Sequence, residues 1–266
     1  MHIVDSFIFY NELDMLLYRL SILDKYVDKF ILVESTHTFV GMPKKLFYNE
    51  NKAMFKQFEG KIVHVIVDDF PFKNFVNNGL QWKNEEHQRN CIARGINMIH
   101  FEKDDIILTS DLDEIPDPSI LEKARSSVLE FNRNGLNRLE LDFYYYNLNT
   151  KQQGAWHGIK LFTYGSYLMM RLSFEQMRTH EWKNYVHIIK KGGWHLSYFG
   201  DTHFIHNKLS NFSHQELKKH NLDEINRSIE NSIDINSNLP LLKISVKDND
   251  YLPPEYETYL SKYVLY

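Results

Sequence analysis

The sequence predicts an α/β fold: a largely parallel sheet flanked by helices in the first half, a mixed or antiparallel sheet in the second, then a helical C-terminal region. Three observations predict it. Strand-length apolar runs recur at "HIVDSFIFY", "DKFILVES", "KIVHVIVDD" and "DDIILTSD", rich in Ile, Val and Phe and bounded by polar residues. Segments with helical spacing alternate with these runs, which implies parallel strands joined through helices. Beyond the long run "NRLELDFYYYNLN" the strand-length runs shorten, and aromatic and Gly residues interrupt them.

The elements follow in order. Between the first two strands, Leu13, Leu16, Leu17, Leu20 and Leu23 recur at helical spacing behind Asn11, a possible N-cap. Ahead of the fourth strand, "NEEHQRNCIARGINMI" repeats the pattern through Ile92, Ile96 and Ile99. Past Pro118 the pattern predicts a helix over "SILEKARSSVLEF" and a long strand in "NRLELDFYYYNLN". Short strands are expected from there to about Gly200, and a polar helical stretch over 207–232. A chain of 266 residues suffices for one sizeable core, so residues 1–235 are read as one domain and 236–266 as a tail packed on it.

A net charge of −4 with scattered lysines gives no basic face, which argues against a nucleic-acid partner. Cys91 is the single cysteine, so no intramolecular disulfide and no Cys-rich metal site is possible. The N-terminus has no basic leader, Asp5 interrupts its apolar run, and no run approaches the roughly 18 to 20 apolar residues of a membrane span. The expected location is cytoplasmic. With 16 Tyr, 18 Phe and 4 Trp, the chain has aromatic rings to spare for stacking on sugars or bases.

In a parallel sheet, ligands gather at the carboxyl ends of the strands, here the positions of Glu34, Asp68, Asp69 and an acidic cluster. The cluster lies in "IILTSDLDEIPDP", where three apolar residues lead into Asp111, Asp113 and Glu114. Their mutual repulsion opposes folding, and a bound divalent cation would relieve it. Asp-x-Asp sets two carboxylates on one side of an extended chain, and phosphate oxygens can complete the cation's shell. The acids could instead start the next helix, with Asp117 or Ser119 as its N-cap. A phosphatase with a nucleophilic Asp111 would want Thr or Val where Ile115 stands, and a calcium loop would want Gly in place of Pro116. A nucleotide-sugar transferase, in which the cation bridges a diphosphate, is the remaining reading, and the motif alone leaves these open.

The wider chain resembles glycosyltransferase family 17, the family of the bisecting β-1,4-mannosyl-glycoprotein N-acetylglucosaminyltransferases. The matching pieces are "DSFIFYNELDMLLYRL", "VDKFILVESTHTFVGMPKKL", "WKNEEHQRN", "DDIILTSDLDEIP", "GGWHLSYFG" and, more loosely, "NKLSNFSH", in family order over roughly residues 5–215. The resemblance implies a GT-A-like, Rossmann-like mixed sheet with a nucleotide-binding half at about 1–118 and an acceptor half at about 119–235. It also implies a metal-dependent, inverting transfer of N-acetylglucosamine from UDP-N-acetylglucosamine to a carbohydrate, with Mn²⁺ or Mg²⁺ as the cation. A phosphatase or nucleotide-sugar hydrolase, and a non-catalytic glycan-binding module, are the alternatives. Leu196 and Phe199 stand where animal members tend to have cysteines. A bacterial or viral surface glycan is therefore as consistent an acceptor as a protein N-glycan.

Residue by residue, the resemblance implies Asp113 as a direct cation ligand and Asp111 as a contact to ribose, or to the cation through water. The late cation ligand is His195, with His214 as its competitor. Glu114 would orient the loop or the donor sugar. Glu34 would read uracil or ribose, and Arg89, with Gln88 and Glu85 beside it, would reach the nucleotide. Lys44 and Lys208 would pair with the diphosphate. Tyr144, Tyr145, Tyr146, Trp156 and Trp182 are candidates for the acceptor platform. An inverting transfer needs a general base, for which Glu181 and Asp201 are the candidates.

Overall fold

The protein is described from a computed structural model that covers residues 1–73, 79–179, 186–217 and 219–265. Glu181 and Trp182 lie outside these residues. Ten strands form one mixed sheet among the described residues, and the expected α/β class is borne out. Strands β1 (Ile3–Phe9), β2 (Lys29–Ser35), β3 (Ile62–Val67) and β4 (Ile106–Asp111) are parallel, in the spatial order β3-β2-β1-β4. A three-residue β5 (Glu114–Pro116) follows the acidic motif. Strands β6 (Asn137–Tyr145), β7 (Thr150–Trp156) and β8 (Lys160–Thr163) extend the sheet in antiparallel fashion through the β8–β4 pair. Strand β9 (His187–Ser197) runs parallel to β6 and antiparallel to β5, and β10 (Leu242–Lys243) adds to β7.

The helices are α1 (Leu13–Leu23), α2 (Phe47–Glu50), α3 (Leu80–Asn90), α4 (Ile92–Ile96), α5 (Pro118–Arg125), α6 (Tyr164–Met170), α7 (Phe174–Thr179), α8 (Thr202–Asn211), α9 (Leu222–Asn231) and α10 (Tyr256–Tyr259). Helix α1 buries Leu16, Leu20 and Leu23 completely against one face of the sheet. At about 1.5–3 kcal/mol per fully buried side chain, this stripe alone fixes the helix. Glu12, not Asn11, occupies the N-cap position and makes no side-chain cap bond, so the expected Asn11 cap does not form. Helix α5 has the expected acidic start, with Asp117 accepting from Ser119 N at 2.8 Å, and ends at Arg125, short of the predicted Phe131. On the opposite face Ile92 and Ile96 pack with Phe174 and Met177 of α7. Helices α6 and α7 stand where short strands were expected. In the tail, Leu260 and Val264 join the core under α1, and Tyr251 packs on Trp194 with 4.7 Å between ring centroids.

The β5–β9 pairing ties two distant motifs together. Glu114 lies opposite His195, Ile115 opposite Trp194 and Pro116 opposite Gly193. Gly193 adopts φ +141°, and a Cβ there would sit 2.0 Å from the Ile115 carbonyl oxygen. Only glycine allows the approach. Gly193→Ala should therefore cost about 1–3 kcal/mol in strain and move β9 off β5, which a melting curve and the loss of site function would register.

Candidate active site

The carboxyl ends of β1, β2 and β4 open onto a cavity of about 650 Å³, closed on the other side by β6, β7, β9 and α8. The acidic motif lies on its floor, held from beneath by Arg19 of α1. Arg19 is completely buried among leucines and forms a two-point pair with Asp5, at 2.8 and 2.6 Å. The rest of its guanidinium donates to Ser110 Oγ at 2.6 Å and to the carbonyl oxygens of Asp111, Leu112 and Glu114 at 2.9, 3.0 and 2.8 Å. The Asp-x-Asp turn is thus bonded through its backbone, which leaves the carboxylates free to face elsewhere.

The expected repulsion among the acids is balanced within the chain. Arg178 of α7 donates to both oxygens of Glu114 at 2.7 Å and to Asp111 Oδ2 at 2.8 Å. Arg89 of α3 reaches Asp111 Oδ1 at 3.1 Å. Glu114 is completely buried, and it also accepts from Trp156 Nε1 and from Asp111 N. Burial works against its charge, but the Arg178 guanidinium outweighs burial and holds its pKa down to about 2. A Cβ on Gly158 would lie 1.8 Å from Glu114 Oε1, so the bare backbone at 158 is what leaves room for the pair.

Asp113 faces a different set. Its Oδ2 accepts from Lys208 Nζ at 2.9 Å, and its Oδ1 stands 3.5 Å from His195 Nε2. Burial opposes its charge, yet Lys208 and His195 hold its pKa well below the usual carboxylate range. Lys208 also approaches Glu12 at 3.4 Å; burial lowers its pKa, and the attraction of Asp113 and Glu12 more than reverses this. His195 is stacked on Phe143, with 4.3 Å between centroids, and its Nδ1 is buried without a partner among the described residues.

The family resemblance implies a divalent cation at this site, and the donor set divides on it. Asp113 Oδ1 and His195 Nε2 converge in the cavity, and a carboxylate oxygen with an imidazole nitrogen fits Mn²⁺ better than Mg²⁺, whose ligands are oxygens. Asp111 is less suited, because both of its oxygens are engaged by guanidinium groups. His214 lies apart on the rim, half exposed, 2.7 Å from Glu216 and edge-on to Trp82.

The other sequence candidates separate in the same way. Lys44, Arg89, Asp111, Asp113, His195 and Lys208 all line the cavity. Burial lowers the Lys44 ammonium to about 8. Arg89 is almost wholly buried, with Nη1 lacking a partner among the described residues. Gln88 ties the ends of β1 and β2 by donating to Phe9 O and Val33 O, and Glu85 accepts from Arg89 at 2.8 Å. Glu34 does not reach the cavity: it is fully buried and accepts from Tyr48 N, with its other oxygen 3.0 Å from His64 Nε2. Asp201 caps α8 through Phe204 N and faces a separate, smaller cavity. Of the aromatic candidates Tyr145 and Trp156 line the site, while Tyr144 and Tyr146 bury their rings elsewhere and bond Asn249 and Ile233 O. Arg19 and Arg178 are absent from the sequence reading. The signals were an Asp inside an apolar strand and an Arg among the leucines of α1; Arg178 had none, because α7 itself was not foreseen.

The sequence matches the description Glycosyltransferase family 17 over residues 1–242. Over 112 residues, 40% of this chain, it is 30% identical to the human and rat β-1,4-mannosyl-glycoprotein 4-β-N-acetylglucosaminyltransferases, and the matched stretch covers 20% of their length. Among solved structures, the glycosyltransferase GlyE of Streptococcus pneumoniae is similar over 100% of this chain and 61% of its own, with 12% identity and a TM-score of 0.40. A 4-diphosphocytidyl-2C-methyl-D-erythritol synthase from Anaerococcus prevotii is similar over 71% of this chain and 88% of its own, with 12% identity and a TM-score of 0.37. No helix among the described residues is long and apolar enough to cross a membrane.

Proposed function

Because the chain belongs to glycosyltransferase family 17, we propose that it transfers N-acetylglucosamine from UDP-N-acetylglucosamine to a hydroxyl of a carbohydrate acceptor, with inversion at the anomeric carbon. The observation that carries this reading is the convergence of Asp113, His195 and Lys208 with the ends of β1 and β2 on one cavity walled by Tyr145 and Trp156. The ends of β1 and β2 receive the nucleoside, as strand ends do in parallel sheets. Asp113 and His195 would hold the divalent cation, which when bound would neutralise charge on the departing diphosphate.

The chain's own groups do the rest. Lys208 keeps Asp113 ionised while its third N–H remains for a phosphate oxygen, and Lys44 adds a second cationic donor. Arg89 holds Asp111 and Glu85 at the cavity wall on the nucleotide's side. Trp156, partly exposed on the cavity wall, offers its ring to a sugar and helps exclude water from the reacting carbon, while the buried Tyr145 backs that wall. A phosphatase would need Asp111 as its nucleophile, and the two guanidinium groups on that carboxylate disfavour the attack.

The test is a panel of nucleotide sugars offered with p-nitrophenyl glycosides of several sugars in the presence of Mn²⁺, with UDP release and product formation as readouts. UDP-N-acetylglucosamine should be used in preference to UDP-glucose. The reverse preference would contradict the donor assignment, and phosphate release in place of glycoside formation would favour a hydrolase.

A further inference from the structure

Of the two sequence candidates for the general base, Asp201 faces a separate cavity and Glu181 lies outside the described residues. The cavity offers its own acids, and nearly all are committed. Asp111 and Asp113 are bound to Arg89, Arg178 and Lys208. Glu12 stands beside Lys208, Glu85 accepts from Arg89, and the outward-facing Glu86 accepts from Lys83. Asp234 is buried and closes its own turn through Asn236 N and Ser237 Oγ.

Glu175, in the first turn of α7, also pairs with Arg89, and differs from the others in that no hydrogen bond holds it there. Its Oε2 is buried and has no hydrogen-bond partner among the described residues, although Arg89 Nε lies 3.2 Å away out of hydrogen-bonding alignment. Its backbone is anchored, with the N–H donating to Asn90 Oδ1 at 3.0 Å. The side chain is 24% exposed and lines the same cavity as Asp113 and His195. We propose that Glu175 is the general base that accepts the proton of the acceptor hydroxyl, a role that rests on the transferase reading above. The carboxylate takes the proton as the acceptor oxygen bonds to the anomeric carbon. The bond from that carbon to the diphosphate breaks, and UDP leaves with the electron pair. The proton then passes from Glu175 to solvent.

The electrostatics agree with the geometry. The charged groups that face Glu175 are Lys83, Arg89 and Glu85 of α3, Asp111 of β4 and Arg178 of its own helix. Burial raises its pKa, Arg89 opposes this, and Glu85 and Asp111 add to the rise. A base with a raised pKa holds its proton more strongly at the moment of transfer, and it stops working as pH falls through that pKa.

The experiment compares wild type, Glu175→Gln and Glu175→Asp in UDP release from UDP-N-acetylglucosamine with p-nitrophenyl glycosides as acceptors, alongside UDP affinity by calorimetry. Glu175→Gln should lose roughly 100-fold or more in kcat/KM while its UDP affinity stays within about twofold. Glu175→Asp should keep part of the rate, and the acid limb of the wild-type profile assigned to Glu175 should be missing from the Gln variant. A Gln variant within about threefold of wild type, or one whose UDP affinity falls in step with its rate, would overturn the assignment while leaving the transferase reading in place. A wild type that turns over none of the sugars would remove both.

Discussion

Arg19→Met should lower the melting temperature by roughly 10 °C or more. Breaking a buried pair by removing one partner costs about 3–5 kcal/mol, and each kcal/mol is worth about 2–4 °C in a chain approaching this size. The physical reason is that Asp5, with no exposure to water, would be left with a buried carboxyl group that no side chain pairs with. The carbonyl oxygens of Asp111, Leu112 and Glu114 would lose their shared donor as well. A second variant separates the two losses. In Asp5→Leu with Arg19→Met the stranded carboxyl group is gone, and apolar replacements of buried pairs are often neutral. That double variant should regain most of the stability yet remain impaired in transfer, because the turn carrying Asp111 and Asp113 has lost its anchor. Thermal melts and UDP-release rates on both variants decide the matter. A single variant within about 1 kcal/mol of wild type would show that Arg19 is not the anchor.

The parallel half of the sheet was legible because buried strands there read as near-continuous Ile, Val and Phe runs, and the alternation with helices leaves few topologies. The stretch "FTYGSYLMMRLSFEQMR" was not. Its aromatic residues and Gly165 suggest strand, while the segment forms two short helices whose burial against Phe162 and Ile92 overrides local preference. Losing α7 meant losing Arg178 and Glu175 together. The acids were easy to find because they cluster in sequence, but their partners come from far away: Arg19 lies 92 residues from Asp111, and Arg178 lies 64 from Glu114. Sequence spacing therefore suggested unrelieved repulsion, where the fold supplies guanidinium and ammonium groups. Glu34 was misread for a related reason. A strand-end acid looks available until a neighbouring strand brings His64 to it.

Asp113→Asn should lower activity by about 100-fold or more, comparable to removing one preorganised electrostatic contact from a transition state. It should also change stability in a direction that the motif alone would not suggest. Relief of repulsion would stabilise an empty site. Here Asp113 is the principal partner of the buried Lys208, so the variant leaves that ammonium with Glu12 at 3.4 Å and should lose about 1–2 kcal/mol. Because the Asp113 pKa is depressed on folding, this contribution is present above the ordinary carboxylate range and is lost only as the solution is acidified below it. A variant that transfers at the wild-type rate would show that the carboxylate takes no part in the reaction.

The most direct measurement is the thermal stabilisation given by UDP, with Mn²⁺ and with chelator, in wild type and in Asp113→Asn. A cation held by Asp113 and His195 and completed by the diphosphate makes the two ligands depend on each other. At UDP near 100 times its dissociation constant, wild type with Mn²⁺ should gain about 2.7 kcal/mol, or roughly 5 to 10 °C, and far less with chelator. The Asp113→Asn variant should show no added gain from Mn²⁺. Equal stabilisation of wild type with Mn²⁺ and with chelator, or a full Mn²⁺-dependent shift in the variant, would contradict the account.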